Sequence, residues 1–207
     1  PAASRAARLR RRRDSPGARV SGAVSVEARP LGGQRLFVVD GLFKPDFVRV
    51  LHEILSRQSF SLSDYDTEAT ERIRHWKAEF APDFFATNPL LRIWHESVVT
   101  KAVELFSGTP LKLERVHANS HLFGDHQHPH HDIVPGVTAL YFANPDWEKD
   151  WQGETIFYDA AGEPRHALAP LPGRLAVFEG GILHRGGVPA RTSFGARYSV
   201  AFKFAAS

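Results

Sequence analysis

From Leu111 to the C-terminus the sequence consists of short segments in which apolar and polar residues alternate, and this pattern limits the possible folds more than any other feature. The segments are rich in Val, Tyr, Phe and Thr and are separated by Gly, Pro, Asn and Asp, which is typical of strands joined by turns. They read LKLERVHANSHLF, GVTALYFAN, GETIFYD, HALAPL, GRLAVFEGG and ARYSVAFKFA. A series of strands of this kind favours a β-sandwich or a barrel.

The residues before Leu111 predict helices that would pack against such a sheet. LFVVDGLF (36–43) alternates like a strand, and the next segment, KPDFVRVLHEILSRQ, has its apolar residues on one helical face. Residues 88–108 repeat the amphipathic helical pattern, whereas residues 61–88 predict irregular structure with a short helix around 68–79. Helices first and strands afterwards predict a mainly β fold with flanking helices (α+β), without alternating βαβ units.

Positive charge is concentrated at the N-terminus. Residues 1–35 contain nine Arg against Asp14 and Glu27, a net charge of +7, which leaves −4 for the rest of the chain. We expect residues 1–33 to form a basic, flexible arm that is solvated and could contact nucleic acid. Residues 34–207 are expected to form a single domain, with the strand, helices and a lid region in 34–110 and a β-rich core in 111–207.

Several classes of protein are disfavoured by what the sequence lacks. It has no cysteine, so a metal would have to be bound by His and carboxylate side chains. No apolar run is long enough for a membrane span or a secretory signal, and we expect a cytoplasmic protein, with an organelle transit peptide as the minor alternative. None of the glycine pairs has the surroundings of a phosphate-binding loop.

The segment GDHQHPHHD (124–132) is the strongest candidate for a metal site. Residues two apart on a strand share a face, so His130 and Asp132 can point at one ion. His184 follows a distant strand-rich segment and is the candidate third ligand. Two histidines and one carboxylate leave coordination positions open, which suits non-haem Fe(II). The other histidines of the segment are expected to be solvated or to support the ligands from outside.

The order of the motifs along the β-rich half resembles the 2-oxoglutarate/Fe(II) dioxygenase superfamily, specifically its prolyl-4-hydroxylase-like branch. The resemblance covers about 112–205, and LFVVDGLFKPDFVRVLHEIL matches the N-terminal strand and helix of that branch. The motifs in order are Asn119–Gly124, His130–Asp132, Thr138–Asn144, Gly153–Phe157, Pro172-Gly173, Phe178, His184 and Arg197–Ser199.

The resemblance implies a double-stranded β-helix (a jelly-roll or cupin-like fold) buttressed by N-terminal helices. It implies catalytic and metal-binding roles for His130, Asp132 and His184, with Fe(II), 2-oxoglutarate as cosubstrate and O₂; ascorbate could stimulate such an enzyme. A fixed cation on a barrel strand suits the distal carboxylate of 2-oxoglutarate, and arginine offers a bidentate fork. The residues assigned to the cosubstrate are Arg197, Ser199, Asn119, His121 and Thr155, with Arg191 as the second choice for the anchor and Phe142 as an apolar wall.

The resemblance further implies an oxidoreductase that releases succinate and CO₂. Because halogenating relatives lack the carboxylate found at Asp132, hydroxylation or a related oxidation (desaturation, ring closure or demethylation) is expected, with hydroxylation preferred. A small-molecule substrate is favoured, recognised by a lid at 61–88 that carries Arg72, Arg74, Trp76 and Lys77. A macromolecular (protein or nucleic-acid) substrate contacted by the basic arm is the alternative, because RYSVAFK also resembles the end of alkylation-repair dioxygenases. A non-enzymatic metal-binding jelly roll is the third reading; the oligomeric state is left open.

Overall fold

The computed structural model describes residues 23–81 and 83–206, and most of their regular structure is β-strand. The prediction of a basic arm falls largely on residues 1–22, which lie outside the described part. The strands are β1 Ser25–Ala28, β2 Leu36–Asp40, β3 Ser61–Asp64, β4 His75–Glu79, β5 Lys112–His121, β6 Gly136–Phe142, β7 Thr155–Tyr158, β8 Pro164–Leu168, β9 Leu175–Glu179, β10 His184–Arg185 and β11 Arg197–Ala205.

The helices precede the long strands. They are α1 Pro45–Ser56, α2 Pro89–Arg92, a π-helical stretch Ile93–Thr100 and α3 Lys101–Ser107, with 3-10 turns at Glu68–Thr70, Phe84–Thr87 and Lys149–Trp151. In α1, Pro45 occupies the first turn and Val48, Leu51 and Leu55 are buried. α2, the π-helical stretch and α3 follow one another without a break. They begin at the N-cap Asn88 and end at Gly108, which takes a left-handed conformation.

Two features near the predicted lid and arm differ from the expectation. The prediction of a short helix around 68–79 is wrong: a single 3-10 turn is followed by strand β4, which pairs with β5 in the large sheet. His75 and Ala78 are buried on that strand, so burial against the sheet overrides the local helical pattern. Within residues 23–33, assigned to the arm, Ser25–Ala28 forms the edge strand β1 and pairs with β2.

The strands form two sheets that face each other. The large sheet has the order β1-β2-β9-β6-β11-β5-β4-β3, and the small sheet has the order β10-β7-β8, with every described pairing antiparallel. This is the jelly-roll arrangement, and the predicted fold class is confirmed.

The large sheet separates two cores because its strands alternate strictly. On β11, Val200, Phe202 and Phe204 pack against the helices, whereas Ala201 packs toward the small sheet. The same alternation on β6 sends Tyr141 to the helical side. The face opposite the helices packs apolar side chains such as Ala201 against the small sheet, and it also carries polar side chains, Asn119, Arg197 and Ser199 among them, that line a cavity.

Among the described residues, no helix combines the length and the apolar character that a membrane crossing requires.

Replacing Trp94 with alanine should destabilise the fold by about 3–5 kcal/mol, the usual cost of removing a large buried aromatic side chain. Trp94 is fully buried between the helices and the sheet, with its ring 5.0 Å from Tyr141 and 5.1 Å from Phe202. Urea unfolding followed by far-UV circular dichroism measures the loss. Its neighbour Ile93 is 53% exposed, so Ile93→Ala is the matched control and should cost under 1 kcal/mol.

Candidate metal centre and cosubstrate pocket

Backbone pairing brings the three predicted metal ligands together. His130 lies in the connection between β5 and β6, and His184 opens β10; each donates its N–H to the other's carbonyl, at 2.9 and 3.0 Å. The Asp132 N–H donates to Gly180 O at 2.8 Å. Ligand atoms of His130, Asp132 and His184 all lie within 4.8 Å of one another. The two distant stretches of chain therefore converge on one point.

Glycine at position 180 allows this approach. A Cβ atom built on Gly180 would overlap the backbone carbonyl of Ile133, next to Asp132. Any side chain there would push apart the two backbone segments that carry Asp132 and His184.

Both imidazoles are oriented so that one nitrogen is free for a metal. The Nδ1 of His130 lies 3.0 Å from His128 O, and the Nδ1 of His184 lies 2.9 Å from Ile182 O. A carbonyl can only accept, so each Nδ1 carries the hydrogen and each Nε2 keeps its lone pair. These Nε2 atoms lie 3.8 and 3.5 Å from the carboxylate oxygens of Asp132.

The carboxylate of Asp132 is buried but kept ionised. Burial alone would raise its pKa, yet the Lys203 ammonium, which forms an ion pair with it, holds the pKa well below the usual value. The Thr138 hydroxyl donates at 2.5 Å to Asp132 Oδ2, the oxygen that also contacts Lys203. At His184, burial lowers the pKa to about 3, so this imidazole is neutral at neutral pH. One carboxylate and two imidazole nitrogens suit a divalent transition metal such as Fe(II).

The remaining histidines of the loop point elsewhere. The ring of His131 faces Gly181 O at 3.0 Å through Nδ1, and His126 stacks edge-on against His128 with centroids 4.4 Å apart. None of the three joins a cluster of metal-ligating groups among the residues the structure describes.

A second group of predicted residues surrounds Arg197. Its guanidinium donates to Thr155 Oγ1 at 2.8 Å and to Ser199 Oγ at 3.3 Å, and it lies 3.5 Å from His121 Nδ1. It also lies 5.2 Å from the centroid of the Phe142 ring, which forms an apolar wall. Burial lowers the pKa of Arg197 to about 10, so the side chain is still a cation at neutral pH. Among the residues that the structure describes, its Nε has no hydrogen-bond partner, which leaves a buried donor available to an anion.

Of the other two residues predicted to contact the cosubstrate, Asn119 lines the cavity and Arg191 does not. Asn119 lies beside Ser199 in the β5–β11 register and lines the same cavity, where its Oδ1 has no partner. Arg191, the second choice for the anchor, is exposed and does not line the cavity. The geometry therefore favours Arg197 over Arg191.

Both groups open into one cavity of roughly 400 Å³. Its walls include side chains that the sequence analysis did not select, among them Asp64, Asp66, Arg115, His117 and Lys203. Lys203 could have been found, because Arg197, Ser199, Ala201 and Lys203 follow the period of a strand. Asp66 gives no such signal, because only the path of the chain after β3 brings it to the cavity.

The first part of the predicted lid (61–88) is a β-hairpin, β3 and β4, that extends the large sheet beside the cavity. Lys77 forms ion pairs with Asp64 and Glu79, and the Arg74 guanidinium lies 5.6 Å from the centroid of the Tyr65 ring. Arg72 and Trp76 are exposed to solvent and do not line the cavity.

Comparison with known proteins places this core in a family. Residues 116–204, which include all three candidate metal ligands and Arg197, match the family model of the 2OG-Fe(II) oxygenase superfamily. Residues 116–204 are thus similar to the 2OG-Fe(II) oxygenase superfamily. The expected class of enzyme, a 2-oxoglutarate-dependent oxygenase using Fe(II) and O₂, is thereby confirmed. No curated protein sequence matches the chain.

Solved oxygenase structures share the fold at low sequence identity. A prolyl-4-hydroxylase from Pseudomonas putida is 21% identical, with a TM-score of 0.58 over 86% of this chain and 94% of that one. A Trichoplax adhaerens prolyl hydroxylase, solved with a peptide of hypoxia inducible factor, is 16% identical, with a TM-score of 0.60 over 82% of each chain. HygX from Streptomyces hygroscopicus, solved with nickel and 2-oxoglutarate, is 15% identical, with a TM-score of 0.59 over 86% and 84% of the two chains.

The metal-free protein should lose stability as the pH falls from 7 to 5. Burial holds the pKa of His117 and His121 well below the ordinary value, so both stay neutral when folded. The unfolded chain takes up these protons near pH 6.5, so each group removes up to about 1.4 kcal/mol per pH unit below that point. Thermal unfolding in the presence of a chelator measures the effect. His121→Gln should flatten the curve, and a midpoint independent of pH would contradict the assignment.

Proposed function

We propose that this chain is an Fe(II)- and 2-oxoglutarate-dependent oxygenase that hydroxylates a small polar molecule and releases succinate and CO₂. The observation that supports this most strongly is that a cluster of two histidines and one carboxylate faces the same cavity as a buried, partly unpaired arginine. The cluster would hold the metal that the keto-acid end of the cosubstrate chelates. The arginine would provide the cation that pairs with the carboxylate at the cosubstrate's other end.

The residues have separate roles in this proposal. The Nε2 atoms of His130 and His184 and the carboxylate of Asp132 would hold Fe(II), which supplies the activation of O₂ and the oxidising power. Arg197 would bind the distal carboxylate of 2-oxoglutarate, with Thr155 and Ser199 fixing the guanidinium. Because the Asp132 carboxylate would fill one coordination position of the metal, hydroxylation is expected in preference to halogenation.

The size and lining of the cavity support a small polar substrate. Ligand sites of a few hundred cubic ångströms enclose metabolite-sized molecules, and this cavity of roughly 400 Å³ must also hold the cosubstrate. On the side away from Arg197 its walls carry the charged groups of Asp64, Arg115 and Lys203. A substrate with hydroxyl, amino or carboxylate groups would find partners there, whereas a hydrocarbon would leave these groups unpaired.

A peptide or nucleic-acid substrate is the second candidate. It is supported by the similar prolyl hydroxylase structures, one of which was solved with a peptide, and by the arginine-rich N-terminal sequence. The body of the chain is acidic outside that stretch, which counts against nucleic acid.

Arg197→Ala should raise the concentration of 2-oxoglutarate needed for half-maximal turnover at least tenfold while leaving metal content unchanged. The reason is that the variant removes the cation that pairs with the distal carboxylate but no atom of the metal cluster. Succinate release measured against 2-oxoglutarate concentration, with metal analysis of the same samples, tests this. Arg191→Ala is the matched control and should behave as wild type; the reverse pattern would transfer the anchor to Arg191.

Screening a metabolite library with Fe(II), 2-oxoglutarate and O₂ should identify a polar compound whose mass increases by one oxygen as succinate is released. His130→Ala should abolish both signals, because one metal ligand is lost. Deleting residues 1–22, which leaves strand β1 intact, should not change turnover of such a compound. If instead only peptides or oligonucleotides are oxidised, and the deletion removes their salt-dependent binding, the macromolecular function is the correct one.

A further inference from the structure

A carboxylate from outside the matched core lies against one of the candidate metal ligands. Asp66 follows strand β3, and its side chain is only 1% exposed. Its Oδ2 accepts a hydrogen bond from the His128 N–H at 2.5 Å, and its Oδ1 lies 3.2 Å from His130 Nδ1. One buried carboxylate therefore contacts both the backbone of the metal-binding loop and the ring of a ligand.

The two histidine ligands differ in this respect. Each Nδ1 faces the carbonyl two residues earlier in the chain, but only His130 also has a carboxylate beside it. An acceptor or an anion next to Nδ1–H fixes the tautomer and the ring orientation and makes Nε2 a better metal ligand. Asp66 is thus placed to strengthen the contact between His130 and a metal.

Asp64, two residues before Asp66, anchors this segment to strands β4 and β5. The Asp64 carboxylate lies 3.4 Å from His75 Nε2, 3.2 Å from Lys77 Nζ and 3.1 Å from Arg115 Nη2. Asp64, Tyr65 and Asp66 all line the cavity. Residues 64–66 therefore run from the edge strand β3, where Asp64 contacts side chains of β4 and β5, to the metal-binding loop and form part of the cavity wall.

We propose that Asp66 is a positioning residue, which orients His130 for metal binding and thereby couples the order of residues 61–66 beside the cavity to metal occupancy. Coupling of this kind is reciprocal: if the ordered segment raises metal affinity, the bound metal must stabilise the ordered segment by the same free energy. The inference goes beyond the proposed function, rests only on the assignment of the metal ligands and is independent of the substrate.

Titration of the metal-free, full-length protein with Co²⁺, followed by its visible absorption, tests the positioning role. Asp66→Ala should bind Co²⁺ about 10–100-fold more weakly and with an altered absorption spectrum. Asp66→Asn keeps an oxygen that can accept from the His128 N–H, so it should recover part of the affinity. Glu68→Gln, an exposed carboxylate in the 3-10 turn two residues after Asp66, is the control and should match wild type.

Hydrogen exchange of the wild-type protein tests the coupling without any variant. Amides of residues 61–66 should exchange more slowly with Co²⁺ than without it. Unchanged exchange, or an Asp66→Ala affinity within twofold of wild type in a protein with native circular dichroism, would overturn the inference while leaving the metal site intact. If Asp66→Ala does not fold, Asp66→Asn must show the loss of affinity or the inference fails. Wild-type protein that binds no Co²⁺ would overturn the metal assignment as well.

Discussion

The reciprocal backbone hydrogen bonds between His130 and His184 are the interaction on which the site depends. They join the loop after β5 to the short strand β10 and set the two imidazoles side by side, with ring centroids 4.6 Å apart. A further main-chain hydrogen bond, from the Asp132 N–H to the carbonyl of Gly180, positions Asp132. Because these are main-chain contacts, the position of the ligands follows from strand pairing, and their side chains remain free for other partners.

Around this point the structure buries charge only where it is compensated. Asp132 is held by Lys203 and Thr138, and Asp64 by His75, Lys77 and Arg115. Asp66 and Arg197 are the exceptions, since neither forms an ion pair with a Lys, Arg, Asp or Glu side chain among the described residues. Arg197 is fully buried, its hydrogen-bond partners are neutral, and its Nε is left as a free donor. An isolated buried cation is costly, so its presence is most easily understood if an anion completes it. This is the physical basis for assigning it to the distal carboxylate of 2-oxoglutarate.

Much of the fold could be predicted because it rests on local patterns. The period-two alternation after Leu111 corresponds to real strands, and the amphipathic pattern of α1 buries Val48, Leu51 and Leu55. The prediction of a short helix at 68–79 was wrong because strand β4 exists through its pairing with β5, a contact that no local pattern reports. The π-helical stretch Ile93–Thr100 was also missed, since its sequence is that of an ordinary amphipathic helix.

The sequence by itself determined the chemistry available: without cysteine, any metal must be bound by histidine and carboxylate, and the strand period places His130 with Asp132 and Arg197 with Ser199. Only the tertiary structure decided which distant groups meet them. Lys203 and Asp66 lie 71 and 66 residues from Asp132 along the chain, counted from their positions in the sequence. Their contacts with the metal-binding loop arise from sheet order and the path of the β3–β4 hairpin, which depend on long-range strand pairing.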